Sequence, residues 1–442
     1  MRFLAPWIGL VSVALAQPLH VQQSEFKPGL GSAPAGWRTW APRPEIAPRA
    51  FVDVVHSRGK PGSLAISGGS NPAAFGGWEY SVAGIRAGGW YRLIAFYRAE
   101  SVGYEPLQVL ARLDWANSEG RRTGQPDYAY KTSLEQGWKR VLLEAPAPAG
   151  ATAVSLQFYL VNAAQGTVWW DDISFEEIPE PSARRITVAS INLRPRNSAS
   201  TEATVRSFLD AIDKAVPGKT DIILLPEGIT TIGTRNTYVE AAESVPGPTT
   251  ALLGETARRR GTYIVAGIYE RDGIAVYNTA VLIDRAGDVV GKYRKVYLPR
   301  EEYEGGLTPG NSYPVFQTDF ARIGMMICWD VQYADPARAL ALGGAELLLM
   351  PIAGGSEILA KARAIENQVY LAASGYDYPT HIINPKGEVI ALAGQRGAAA
   401  IATIDLNQRY LDSWIGDMKG RFPKEVRLDV KVERDPAFVG GR

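Results

Sequence analysis

The chain changes its hydrophobic rhythm once, and abruptly, near residue 180. Before that point short apolar or aromatic stretches, such as residues 90–97 and 154–160, alternate with clusters of Gly, Pro, Asn and Ser. That is the pattern of strands joined by tight turns, so residues 17–178 are expected to form an all-β sandwich or jelly roll. After it, apolar runs at 186–192, 221–225, 263–268, 279–284, 323–328 and 346–350 are separated by stretches of helical spacing. In 202–216, for instance, Val205, Phe208, Leu209, Ile212 and Val216 fall on one helical face. Further helices are expected at 249–260 and 336–342. Strands that are apolar throughout and alternate with helices imply a sheet covered on both faces, an α/β layer architecture for residues 186–407. Residues 179–185, Pro-Glu-Pro-Ser-Ala-Arg-Arg, read as a linker, and 408–442 as a C-terminal tail that carries Tyr410, Trp414 and Phe422 among charges.

The first residues carry an address. Met1-Arg2 gives a short positive start, residues 3–15 are mostly apolar, and Ala14-Leu15-Ala16 places small residues before Gln17. That is the form of a secretory signal peptide, 1–16, cleaved after Ala16, so the mature protein is expected to be exported to a periplasm or the outside. No other stretch reaches the roughly 18 uninterrupted apolar residues of a membrane span. The formal net charge is +1 with no basic tract, so charge gives no reason to expect nucleic acid or an anionic membrane as a partner.

One cysteine, Cys328, cannot form an internal disulfide, and an unpaired thiol in an exported chain stands out. It ends the apolar run 323–328. Two other segments of the same half also end on chemistry: residues 222–228 run into Pro226-Glu227-Gly228, and 291–299 carry Tyr293-Arg294-Lys295 before a loop. Polar groups at the exits of sheet strands are where open α/β folds place ligand sites. A thiol titrates near about 8.5 and is largely protonated at neutral pH, so a cysteine nucleophile needs a base and donors for the developing oxyanion. Of the three histidines, His20 and His56 lie in the β-rich half and only His381 in the α/β half, which makes a papain-like arrangement weak.

These segments resemble the nitrilase superfamily of carbon–nitrogen hydrolases over residues 186–407. The resemblance rests on Pro226-Glu227, Tyr293-Arg294-Lys295, Ile327-Cys328-Trp329-Asp330 with Pro336 and Arg338, Arg363-Ala364-Ile365-Glu366-Asn367, and Asn384-Pro385-Lys386-Gly387-Glu388-Val389, in this order. It implies a four-layer α-β-β-α sandwich and a homodimer or higher homo-oligomer. It also implies Cys328 as nucleophile, Glu227 as base, and Lys295 with the backbone N–H of Trp329 as oxyanion donors. A second glutamate is expected in the 299–310 loop; Glu302 is preferred and Glu304 is the alternative, with Glu301 a solvated charge. Two departures bear on substrate choice: Trp329 follows the cysteine where tyrosine is frequent, and Tyr333-Ala334-Asp335-Pro336 stands where Phe-Pro-Glu is common. The implied reaction is cleavage of a linear amide or N-carbamoyl bond through a cysteine thioester. Alternatives are nitrile hydrolysis or acyl transfer on the same site, or an inactive glycan- or surface-binding protein. No cofactor and no metal are expected, because no His/Cys ligand spacing and no phosphate loop is present.

In the first half, residues 166–175 resemble the last strand of carbohydrate-binding jelly-roll modules. A glycan is therefore a candidate partner there, against the alternative that most of the aromatics fill the sandwich core. Of the tryptophans Trp37, Trp40, Trp78, Trp90, Trp115, Trp138, Trp169 and Trp170, Trp78 and Trp115 are the preferred stacking candidates because turn-forming or polar residues flank them.

Overall fold

The computed structural model describes residues 20–27 and 33–431 and divides into two compact units. The expected signal segment therefore lies outside the described residues. The first unit comprises the chain up to Pro181 together with the segment from Leu411, and the second runs from Ser182 to Tyr410.

The first unit is built almost entirely of antiparallel strands. A seven-stranded sheet runs in the order Arg49–Asp53, Ser63–Ser67, Thr167–Ile178, Trp90–Glu100, Trp138–Pro146, Lys131–Glu135, with His20–Gln23 also paired to Thr167–Ile178. A five-stranded sheet runs Trp37–Trp40, Phe75–Ala83, Ala153–Val161, Val109–Ala116, Asp127–Tyr128. Strand alternation sends Leu64, Tyr91, Leu93 and Trp170 of the first sheet, and Trp78, Leu113, Trp115 and Phe158 of the second, into one core. This corrects the expectation for Trp78 and Trp115. Both are fully buried, and their indole N–H groups donate inward, to the Ala65 carbonyl at 3.0 Å and to Asp127 at 2.8 Å. They hold the sandwich together and cannot stack on a ligand. The C-terminal segment, expected as a separate tail, groups with this unit: helix Met418–Glu425 buries Lys424, whose ammonium donates to the Val109 carbonyl at 3.2 Å.

The second unit holds two six-stranded sheets. One runs Val289–Arg294, Ala275–Ile283, Tyr263–Asp272, Ile222–Leu224, Arg185–Ile191, Ala399–Asp405; the other Val315–Gln317, Arg322–Met325, Leu347–Pro351, Tyr370–Ser374, His381–Ile383, Val389–Leu392. The central strands of each are parallel and the outer ones antiparallel. One core joins Val188, Leu224, Val265 and Leu282 of the first sheet to Ile323, Met325, Leu349 and Ile382 of the second. Helices Thr201–Ala215 and Pro248–Arg260 cover the other face of the first sheet, and Asp335–Leu342 and Glu357–Asn367 that of the second.

The caps explain where these helices start and stop. Ser200 accepts the Ala203 N–H at 3.1 Å, which satisfies one of the free donors at the start of Thr201–Ala215. Pro248 opens the next helix, and Gly261, left-handed at φ 61°, closes it. Val205, Phe208 and Ile212 bury the apolar stripe read from the sequence, each contributing about 1.5–3 kcal/mol against exposure.

Candidate active site

Three strand exits of the second unit converge. After Ile222–Leu224 the chain turns at Pro226 and presents Glu227, only 4 % exposed. The turn presses so closely on the neighbouring strand that a side chain at Gly267 would place its Cβ 2.7 Å from the Glu227 Cα. Lys295 follows Val289–Arg294, and its backbone N–H donates to the Asn278 carbonyl at 2.8 Å. Its ammonium, 1 % exposed, sits 2.9 Å from Glu227 Oε1 and 2.9 Å from Glu302 Oε1. Glu302 is buried on the short helix Arg300–Glu304, whereas Glu304, two residues on, is exposed. Of the two loop glutamates the fold brings Glu302 to Lys295 and leaves Glu304, like Glu301, in solvent. The reason is helical geometry, since residues two apart point to different sides of a turn.

Asn278 completes the cluster. It lies inside the apolar strand Ala275–Ile283, and its amide donates to Glu227 Oε1 at 2.7 Å and to Glu302 Oε1 at 2.9 Å. The other Glu227 oxygen accepts the Ala353 backbone N–H at 3.0 Å. Two carboxyl groups thus share one ammonium in a buried site. Both kinds of group shift upward, which favours the neutral form of Glu302 and the charged form of Lys295. Glu302 is raised from its ordinary value by burial and by Glu227, against the pull of Lys295. Lys295 is raised because the charges of Glu227, Cys328 and Glu302 outweigh its burial. Among the described residues Glu302 Oε2 and Asn278 Oδ1 are buried without a hydrogen-bond partner.

Cys328 does not end a strand, as its apolar run suggested. The strand stops at Met325, and Cys328 opens a 3-10 turn, Cys328–Gln332, in the left-handed region at φ 43°. A side chain rarely adopts that backbone, and such a residue is held by its surroundings. Here the holding group is Asp330. Fully buried, its carboxylate accepts the Ile327 N–H at 2.8 Å, the Tyr297 N–H at 3.0 Å and the Tyr293 hydroxyl at 2.7 Å. It therefore ties the cysteine turn to the loop that carries Lys295, and burial raises it to about 6. From the other side, Arg363 donates to the Val331 carbonyl at 3.0 Å and 3.2 Å, which gives the Arg-Ala-Ile-Glu-Asn stretch a structural task.

Burial, reinforced by the charge of Glu227 and opposed by Lys295, pushes the Cys328 thiol up to about 12. Its sulfur donates to the Gly354 carbonyl at 3.6 Å. Trp329, next in the 3-10 turn, has a half-exposed indole. Tyr376 lies near enough to Glu227 and Cys328 that their charges, after burial, oppose its ionisation; Cys328 acts on Tyr378 in the same way. These tyrosines line the neighbourhood of the sulfur, and the motifs gave no signal for them. His381 is elsewhere: it is buried in His381–Ile383 with its ring against Tyr378, and burial lowers it to about 4, so it is a neutral core histidine. Among the described residues no group of three or more His, Cys, Asp or Glu side chains is placed to hold a metal ion, and no helix is long and apolar enough to cross a membrane.

With this geometry in view, the similarities to known proteins take on meaning. Residues 187–413 match the family described as carbon-nitrogen hydrolase. Omega-amidase NIT2 of Danio rerio is 32% identical over 237 residues, covering 47% of this chain and 83% of that protein. A nitrilase of Pyrococcus abyssi is 36% identical over 207 residues, covering 42% of this chain and 77% of that protein. The crystal structure of an amidase from Nesterenkonia sp. covers 57% of this chain and 96% of its own, at 22% identity and a TM-score of 0.45. The chain belongs to the carbon–nitrogen hydrolase family of the nitrilase superfamily. It is an amidase-like hydrolase of amide C–N bonds.

Proposed function

We propose that the protein hydrolyses a linear amide through a thioester on Cys328, with Glu227 as proton carrier and Lys295 as oxyanion donor. The observation that carries this reading is the single ammonium of Lys295 held 2.9 Å from both Glu227 and Glu302 beside the strained Cys328 turn. Because the thiol stands near 12, it is neutral when a substrate arrives. The proton must then leave as the bond forms rather than beforehand, which is general-base catalysis. Glu227 takes the thiol proton while sulfur attacks the carbonyl carbon. The oxyanion is stabilised by Lys295 and the Trp329 backbone N–H. Glu227 returns the proton to the leaving nitrogen, the C–N bond breaks, and ammonia or an amine departs. Water, deprotonated by Glu227, attacks the thioester; the acid leaves and the thiol is restored. Glu302 and Asn278 keep Lys295 and Glu227 in register through these steps.

Support for an amide comes from the omega-amidase relatives. The two helix-covered sheets are read as the four-layer α-β-β-α sandwich, and the wider resemblance supports a homodimer or higher homo-oligomer. The N-terminal pattern ending at Ala16 supports export, which N-terminal sequencing of the mature protein would test by beginning at Gln17. The central test is ammonia release from a panel of amides, N-carbamoyl compounds and nitriles, followed by acid quench and intact mass measurement. An acyl adduct on Cys328 with an amide substrate is expected. Ammonia release retained by Cys328→Ala would overturn the mechanism, and turnover confined to nitriles would overturn the substrate class.

A further inference from the structure

The five-stranded sheet of the first unit turns one face to its core and leaves the other open, and that open face is not an ordinary solvated surface. The strand registers align one residue from each strand in a row: Arg38, Glu79, Gln157, Arg112, Tyr128. Their side chains are joined end to end. Arg38 donates to Glu79 at 2.7 Å and 2.9 Å, Gln157 donates to Glu79 at 2.8 Å, and Arg112 donates to Gln157 at 2.6 Å and to the Tyr128 hydroxyl at 3.1 Å. Glu79 and Gln157 are buried although they point away from the core.

On one side of this row lies an aromatic pair. Gly77 separates Trp40 from Tyr159 in the next register, and with no side chain between them their rings stack at 5.3 Å, with Trp40 partly exposed. On the other side the registers place Ser81, Ser155 and Asp114 together, then Ala83, Ala153 and Ala116. These small residues form the floor of a groove of about 680 Å³. The Ser155 hydroxyl points into a buried position with no hydrogen-bond partner among the described residues.

Charge decides what the groove can hold. Arg38 is matched by Glu79 and Arg122 by Asp114 at 2.6 Å, but the bonds of Arg112 go to neutral groups, Gln157 and Tyr128 in the row and Tyr159 beside it. Three arginines face two carboxylates, so one positive charge is left for a ligand to answer. A guanidinium prefers a carboxylate or another planar anion. The remaining lining, hydroxyls, amides and a partly exposed indole, suits hydroxyl groups and the apolar face of a sugar ring. We propose that this face binds a saccharide bearing carboxylates, a uronic-acid oligomer, with Arg112 on the carboxylate and Trp40 beside the ring. The assignment does not rest on the amide chemistry of the other unit.

The full-length protein should be titrated calorimetrically with oligomers of galacturonic, glucuronic and mannuronic acid, a neutral gluco-oligosaccharide, and poly-glutamate, at near-physiological salt. Binding to at least one uronic-acid oligomer is expected, with neither the neutral sugar nor poly-glutamate bound comparably. Arg112→Gln is expected to weaken it about tenfold or more. The exposed Trp40→Ala should weaken it as well, and guards against a folding defect in the first variant. Both variants should keep the native circular-dichroism spectrum and unfold cooperatively, which separates lost binding from lost fold. No binding of any uronic-acid oligomer overturns the proposal. So does equal binding of poly-glutamate, which reports charge alone, or equal binding of the neutral sugar with Arg112→Gln silent.

Discussion

Glu227 and Glu79 are buried to nearly the same degree, 4 % and 2 % exposed, and each is clamped by a cation and an amide side chain. What separates them is the cation. Lys295 is 1 % exposed and shared with a second carboxylate, whereas the Arg38 side chain is 66 % exposed and pairs outward from the sheet. The first arrangement seals charge away from water, where a proton transfer is felt by every neighbour. The second keeps one end of the pair solvated, where it can rearrange around a ligand at small cost. Burial of a carboxylate therefore does not by itself mark a reactive site; exposure of its counter-charge distinguishes the two.

The contrast breaks most visibly at the cations. Lys295→Met leaves two buried carboxylates uncompensated. Urea unfolding should show a loss of about 3–5 kcal/mol, and turnover should fall by about 1000-fold if Lys295 also serves the oxyanion. Unchanged stability would mean that water already reaches the cluster. A buried ionisable group with no such partner behaves differently again. His381 is lowered to about 4 in the fold against about 6.5 in the unfolded chain. As pH falls below the unfolded value the unfolded chain takes the proton first, so stability is lost progressively between those limits. Between pH 7 and pH 4 the stability difference between the native chain and His381→Phe should shift by on the order of 3 kcal/mol in favour of the variant. Asp330, raised to about 6, pushes the opposite way in both proteins and cancels.

Within the sealed cluster, Glu302→Gln should lower kcat about 100-fold, while Glu304→Gln changes it by less than about twofold. Equal effects would mean that Glu302 acts only through loop structure. Asn278→Ala removes two hydrogen bonds to charged groups and should lower kcat about tenfold with KM little changed. A rise in KM alone would place Asn278 on the substrate instead. The smallest effect belongs to the open pair. Arg38→Met should cost about 1 kcal/mol or less, because Gln157 and Tyr159 still hydrogen-bond Glu79 and water reaches the vacated position. A loss comparable to that of Lys295→Met would erase the distinction between the two clusters.

Much of this organisation was legible from residue patterns. Chemistry-bearing side chains at the exits of apolar runs pointed to Glu227, Lys295 and Cys328, which the fold gathers in one place. The change of rhythm near residue 180 marked the passage between two architectures. Other features were hidden for physical reasons. Asn278 sits inside an otherwise apolar strand, where a polar residue reads as an interruption, and only the sheet register aims it at two carboxylates. Glu302 and Glu304 differ by two residues on a helix only five residues long, so spacing could not separate them. Trp78 and Trp115 looked solvent-facing because of their neighbours in sequence, yet strand alternation turns both inward. Trp40, in the same group of tryptophans, faces out. Which face of a two-sided sheet is open depends on partners far along the chain, and local pattern does not carry that information.

The position of Cys328 has a consequence for durability. It is the thiolate that attacks peroxides and disulfides, so a thiol that burial raises to about 12, and that is therefore protonated at neutral pH, reacts slowly with either. The chain has no second cysteine with which to repair an oxidised one by internal exchange. On the mechanism proposed above, the sulfur stays unreactive until an amide carbonyl and the Glu227 carboxylate meet it together, so a single unpaired thiol outlasts oxidants between turnovers.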